Sequence, residues 1–228
     1  MRHRAVWLAL IAAAALAQRA APCAEPAKQD PGQPATKAAA ANISPIFHQL
    51  VAFTLPAHFR AVFEKTNGGF YIREHLPEGE SVQKWTRMIT LTGVRDLAAN
   101  PNATPQSLTD RMTAGFRRKC PDTFSSALLG PQTVDGFEAF QAIASCGHQG
   151  SGADAYSETA IMLAVKGSGD YYTLQWVERG TDSARPLTLD TAYWTKQFDR
   201  LRPIRLCPIV AGDAPTYPSC VGNQSPAH

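Results

Sequence analysis

The chain lacks an apolar run long enough to cross a bilayer. Its one sustained hydrophobic stretch, residues 5–16, is closed by Gln18 and Arg19, short of the roughly 20 residues a spanning helix needs. It also lacks a charge excess. The 22 basic residues face 19 acidic ones, a formal net charge of +3 that falls to +1 without Arg2 and Arg4. A nearly neutral body has no electrostatic grip on a phosphate backbone, so nucleic acid is excluded as a partner. Neither His-Glu-x-x-His nor Cys-x-x-Cys occurs, and His48, His58, His75 and His148 are scattered, so no metal centre is expected. Gly150-Ser151-Gly152 has neither the Gly-x-Ser-x-Gly spacing of a nucleophile elbow nor the third glycine of a dinucleotide fingerprint, and no cofactor is implied. There is no internal repeat.

What is present begins at the N-terminus. Arg2 and Arg4 precede the apolar stretch, and Ala15-Leu16-Ala17 offers small residues for cleavage. That is the plan of a secretory signal peptide over residues 1–17, with cleavage as late as residue 24. Residues 18–43, rich in Ala, Pro, Gln and Lys, read as a flexible leader, because they cannot bury enough apolar surface to offset their ordering entropy. Export makes the mature chain periplasmic or secreted, without a transmembrane anchor once the signal is removed. In that oxidising setting Cys120, Cys146, Cys207 and Cys220 read as disulfides. Of three possible pairings, Cys120–Cys146 and Cys207–Cys220 are favoured because each closes a short segment, which stabilises by about 3 kcal/mol in the chain-entropy account. Cys23 is left over. Residues 44–206 then form a single domain, and 207–228 a bridged loop and tail.

Residues 59–65 and 70–76 flank Asn67-Gly68-Gly69, a hairpin signal because Asn-Gly suits two turn positions of positive φ. Residues 88–94 suit a further strand. Thr104 as N-cap and Pro105 at the first helical position open a helix whose Leu108, Met112 and Phe116 form one apolar stripe. Cys120-Pro121 stops it. Four strands are expected at 124–129, 137–146, 158–166 and 171–179. Residues 160–165 are apolar throughout, which suits a strand covered on both faces. Tyr172, Leu174 and Trp176 alternate with Thr173 and Gln175, which suits one wetter face. A second helix fits 189–201, ended by Pro203, and a short strand 204–206. Strands grouped in this way predict the α+β class, an antiparallel sheet with helices packed on it.

Few residues invite chemistry. Cys146-Gly147-His148 would suit a thiolate beside its base, in competition with the disulfide reading, which is favoured. Glu74, Glu78 and Glu80 gather near the Pro77-Gly79 turn, either as carboxylates able to share acid–base work or as an exposed acidic turn. Arg117-Arg118-Lys119 suits the last turn of a helix, where cations complement the dipole, or a contact with phosphate or anionic lipid. Glu74, Glu80 and Trp85 form a candidate partner contact, since an aromatic beside acidic and glycine positions can anchor another protein. Trp85 as a core residue is the competing reading.

The order of elements resembles the PsbP-like fold, an α/β/α sandwich shared by the PsbP subunit of photosystem II and by bacterial DcrB-type envelope proteins. The resemblance covers about residues 44–206. Leu76-Pro77-Glu78-Gly79-Glu80, followed by Trp85 and Met88-Ile89-Thr90, is similar to a motif of small exported proteobacterial proteins. The resemblance implies a non-enzymatic binding or accessory protein of the bacterial envelope, with an envelope protein or a small ligand as partner. It brings no catalytic residue. Two other readings stand beside it: a periplasmic hydrolase using the Glu74/Glu80 or Cys146/His148 region, and an inhibitor or immunity protein for an envelope-directed toxin.

Overall fold

The structure, a computed structural model, describes residues 39–221. The expected signal segment and its cleavage positions, the leader up to residue 38 with Cys23, and the tail from Gly222 lie outside the described residues. Among the described residues ten strands form two sheets, and every ladder is antiparallel. Strands β1 (Ala40–Ile46) and β2 (Gln49–Leu55) form a hairpin that sequence reasoning did not find. Strand β1 begins inside the stretch assigned to the leader. It carries Pro45 and alternates only weakly, as an edge strand can, and so gives little periodic signal.

The large sheet is built from two meanders. Strands β3 (Phe59–Asn67), β4 (Phe70–Pro77) and β5 (Arg87–Val94) form the first. Helix α1 (Pro105–Lys119) then leads to β6 (Phe124–Val134), β7 (Phe137–Gln149), β8 (Tyr156–Lys166) and β9 (Tyr171–Gly180). The meanders join through β5 and β9, giving seven strands in the order β3-β4-β5-β9-β8-β7-β6. Helix α2 (Thr191–Asp199) follows. Strand β10 (Arg205–Pro208) completes a three-stranded sheet beside β2, and a short helix α3 (Pro218–Val221) ends the described chain.

Local chemistry sets the element ends. Thr104 accepts from the Ser107 N–H at 3.0 Å while Ser107 Oγ accepts from the Thr104 N–H at 2.9 Å, a reciprocal cap with Pro105 behind it. Asp190 caps α2 through the Tyr193 N–H at 3.0 Å, so this helix starts two residues later than the apolar stripe suggests, and it ends at Asp199 rather than Leu201. Asp135 and Gly136 both have positive φ, at 46° and 81°, as a tight hairpin turn requires. In the β3–β4 hairpin Asn67 pairs with Phe70, so the turn residues are Gly68 and Gly69 rather than Asn67 and Gly68, and positive φ falls on Gly68.

The large sheet is covered on both faces, and the two faces differ in side-chain size. One carries Ile89, Leu91, Ile161, Leu163, Leu174 and Trp176 against the small sheet and the end of α2, where Phe198 and Leu201 are buried. The other carries Ala142, Ala144, Ala160 and Met162 beneath α1. Alanines keep this face shallow, so the helix seats through its short side chains. Its buried positions are Pro105, Thr109 and Thr113. The expected stripe of Leu108, Met112 and Phe116 is only half-buried, one step round the helix. Both favoured disulfides are formed, each with Cα atoms 5.6 Å apart. One ties the end of α1 to β7, the other ties β10 to α3.

Two buried polar groups between the layers behave in opposite ways. Asp170, fully buried at the β8–β9 turn, accepts the backbone N–H of Asp96 at 2.8 Å and of His48 at 3.1 Å, and the Tyr172 hydroxyl at 3.0 Å. The His48 ring adds a contact through Nδ1 at 3.0 Å. Burial pushes the Asp170 carboxyl up, but these donors together outweigh it and hold the group below its ordinary value. The carboxylate thereby ties the β1–β2 turn to the end of β5 and the start of β9. His75 is also fully buried, edge-on to Phe53 of β2, yet neither ring nitrogen has a hydrogen-bond partner among the described residues. Burial and the neighbouring Arg73 cation lower its pKa to about 4, offset only in part by the Ile89 backbone and Glu64.

Two stability effects follow. Asp170→Asn puts an N–H₂ group among donors, and chemical denaturation is expected to show a loss of about 2–4 kcal/mol. The His75 effect depends on pH. The unfolded chain protonates this ring near its ordinary value of 6.5, whereas the folded chain keeps it neutral down to about 4. Between those values the unfolded state binds more protons, so stability falls as pH drops, by roughly 3 kcal/mol over the full window. Thermal melts of His75→Phe across that window should lose this share of the acid sensitivity.

Candidate functional site

Beside the C-terminal half of α1 lies a cleft of about 430 Å³. The helix contributes Met112, Gly115 and Phe116 as its apolar side, with Arg118 and Lys119 in the last turn. Gln149, Glu158 and Gln175, from β7, β8 and β9, complete it. Gln175 is the half-exposed member of the wetter face of β9, whereas its neighbour Thr173 is buried. The missing side chain at Gly115 keeps the space open. A Cβ built there would meet only Arg118 Nη2, 3.9 Å away. That distance also places the Arg118 guanidinium folded back along its own helix.

The charges in the cleft are not balanced. Glu158 is engaged by Arg179, Nε to Oε2 3.5 Å. The Arg179 guanidinium lies 3.8 Å from the Trp85 ring centre and 4.0 Å from that of Tyr156, and donates to the Tyr156 hydroxyl at 3.0 Å. Arg117 stacks on Phe124 at 5.0 Å. Arg118 and Lys119 have no ion-pair partner among the described residues. The cleft therefore combines a neutralised carboxylate, two uncompensated cations and an apolar side.

The residues singled out from sequence do not converge on a catalytic constellation. Cys146 is fully buried in its disulfide, so its sulfur is no thiolate, and His148 instead meets Asp182, Nδ1 to Oδ1 2.6 Å. Glu80 accepts both the N–H and the hydroxyl of Thr86, at 2.7 and 2.6 Å, and so closes the turn before β5. Glu74 faces Thr90 in the β4–β5 register, four residues along β5, which separates the two glutamates by about 13 Å. Burial raises the Glu74 pKa. His58 meets Glu78 at 3.7 Å on the surface, apart from buried His75. Trp85 is 8% exposed and packs with Leu76, Met88 and Val177, so it is a core residue rather than a surface anchor. It bears on the cleft through Arg179, which it holds against Glu158. Glu74 lies in the same cross-strand row as Thr90 and Gln175, about 10 Å from the cleft's edge.

His48, Asp96 and Asp170 place ligand-type atoms within 4.8 Å of one another. Their geometry suits a structural tie better than a cation, because both Asp170 oxygens are already filled by N–H and O–H donors. Sequence reasoning missed Glu158 and Gly115 as lining of the cleft, and Arg179 and Tyr156 as the groups that hold Glu158. The available signals were the basic run at the end of α1 and the polar alternation of β9. Neither says that the two meet.

No protein-family model matches the chain, and no curated protein matches it in sequence. Among solved structures the chain is similar to the solution structure of cyanobacterial PsbP (CyanoP) from Synechocystis sp. PCC 6803. The two are 9% identical, the match covers 81% of this chain and 100% of that one, and the TM-score is 0.46. No residue role, function or partner follows from this likeness.

Proposed function

We propose that the mature chain is a non-enzymatic binding or accessory protein of the bacterial envelope, exported to the periplasm, and that the cleft beside α1 holds its partner. The cleft carries this reading: it is a concave site of ordinary ligand-pocket size with an apolar side and unpaired polar groups. Two disulfides suit an oxidising compartment. No helix among the described residues is long and apolar enough to cross a membrane. The groups that a hydrolase would use are engaged elsewhere, Cys146 in a disulfide and Glu80 in a turn.

Gly115→Trp tests the site without dismantling the fold, because the added Cβ meets no backbone and Gly is the weakest ordinary helix former at that position. The variant should melt no lower than the parent. In affinity capture from an envelope extract, a stoichiometric partner or ligand recovered with the parent should be lost with Gly115→Trp. Equal recovery by both proteins would remove the cleft from the binding site.

A further inference from the structure

Resting on the reading of the cleft as a binding site, we infer that its occupant is a small amphipathic anion. The apolar body lies against Met112 and Phe116, and the anionic head meets Arg118 and Lys119. Three observations lead there. First, the helix itself needs only part of the charge in its last turn. A helix C-terminus is equivalent to about half a negative charge, whereas Arg117, Arg118 and Lys119 supply three positive ones. With Arg117 stacked on Phe124, the surplus falls on Arg118 and Lys119 at the cleft.

Second, the acid in the cleft does not cancel that surplus. Glu158 is bound to Arg179, whose guanidinium is itself held between Trp85 and Tyr156, so the pair is fixed and close to neutral. Glu74, on the same face, lies two strands away from Gln175, and Glu158 is the only acidic residue lining the cleft among the described residues. Third, the cleft wall also carries the polar side chains of Gln149 and Gln175 beside its apolar side. A neutral apolar ligand would leave both cations without partners. A cationic ligand would meet like charge. A carboxylate or phosphate head on an acyl or aromatic body satisfies both sides of the cleft, and a volume of about 430 Å³ admits a body of medium chain length.

The experiment titrates the oxidised mature protein with decanoate and with 1-decanol, followed by isothermal calorimetry and amide chemical shifts. Vesicles of phosphatidylcholine with and without phosphatidylglycerol form a second arm. Decanoate should saturate, shift residues of α1, β8 and β9, and bind at least about tenfold more weakly to Arg118→Gln/Lys119→Gln and to Gly115→Trp. Binding to the anionic vesicles that is lost in the same variants would assign the head group to a bilayer lipid; binding of free decanoate alone would assign it to a soluble acid. Equal affinity for 1-decanol, an unchanged affinity in the double variant, or no binding in either arm would overturn the inference. If those results came while Gly115→Trp still lost the captured partner, the binding role of the cleft would stand and only the ligand class would fall. If Gly115→Trp captured as the parent does, the cleft itself would be the error.

Discussion

A seven-stranded antiparallel sheet whose central strands are covered on both faces is the constraint behind this molecule. Strand β8 is apolar on both sides because it lies under covering layers in both directions. The faces then divide by size. Large aliphatic and aromatic side chains face the small sheet and α2, where two layers must interlock. Alanines face α1, where a helix must come close. The cleft is a consequence of that division. The helix seats on its threonines, which leaves Met112 and Phe116 at its flank, half-buried, beside the polar positions of β8 and β9.

The polar groups that punctuate the layers act as registers. Asp170 accepts N–H and O–H donors on both oxygens and ties three loops at once. His75 has the burial without the partners and stays neutral. A charge inside a low-dielectric layer is tolerated only where hydrogen bonds surround it, and the two residues show both sides of that rule. Arg179 follows the same rule nearer the surface, between two aromatic faces and a carboxylate. In this way Trp85, which the sequence suggested as a contact, supports the cleft from within the core.

Much of the fold was legible because its signals are local. The cap at Thr104-Pro105, the stop at Cys120-Pro121, the Asp135-Gly136 turn and the apolar run of β8 each depend on residues within a few positions of one another. The disulfide pairs were legible because short loops are the easiest to close. The β1–β2 hairpin was not, since weak alternation and an edge proline resemble the leader before it. The helical stripe was displaced by one step because periodicity weighs side-chain size, whereas an alanine surface selects small residues. Of the cleft, only the basic run and the polar side of β9 could be read in advance. Glu158, Arg179, Tyr156 and Gly115 carry no motif.

The one-dimensional chain determined the class of the domain, the positions of most strands and of the two longer helices, and the pairing of its cysteines, because propensity, capping and loop closure act over short separations. Only the tertiary structure decided that β5 would sit beside β9, that α1 would lie on alanines, and that Arg118 and Lys119 would be left facing an open apolar side. Those outcomes depend on how two faces of one sheet are filled at the same time. Packing of that kind is settled by volumes meeting across space, and no local pattern encodes it.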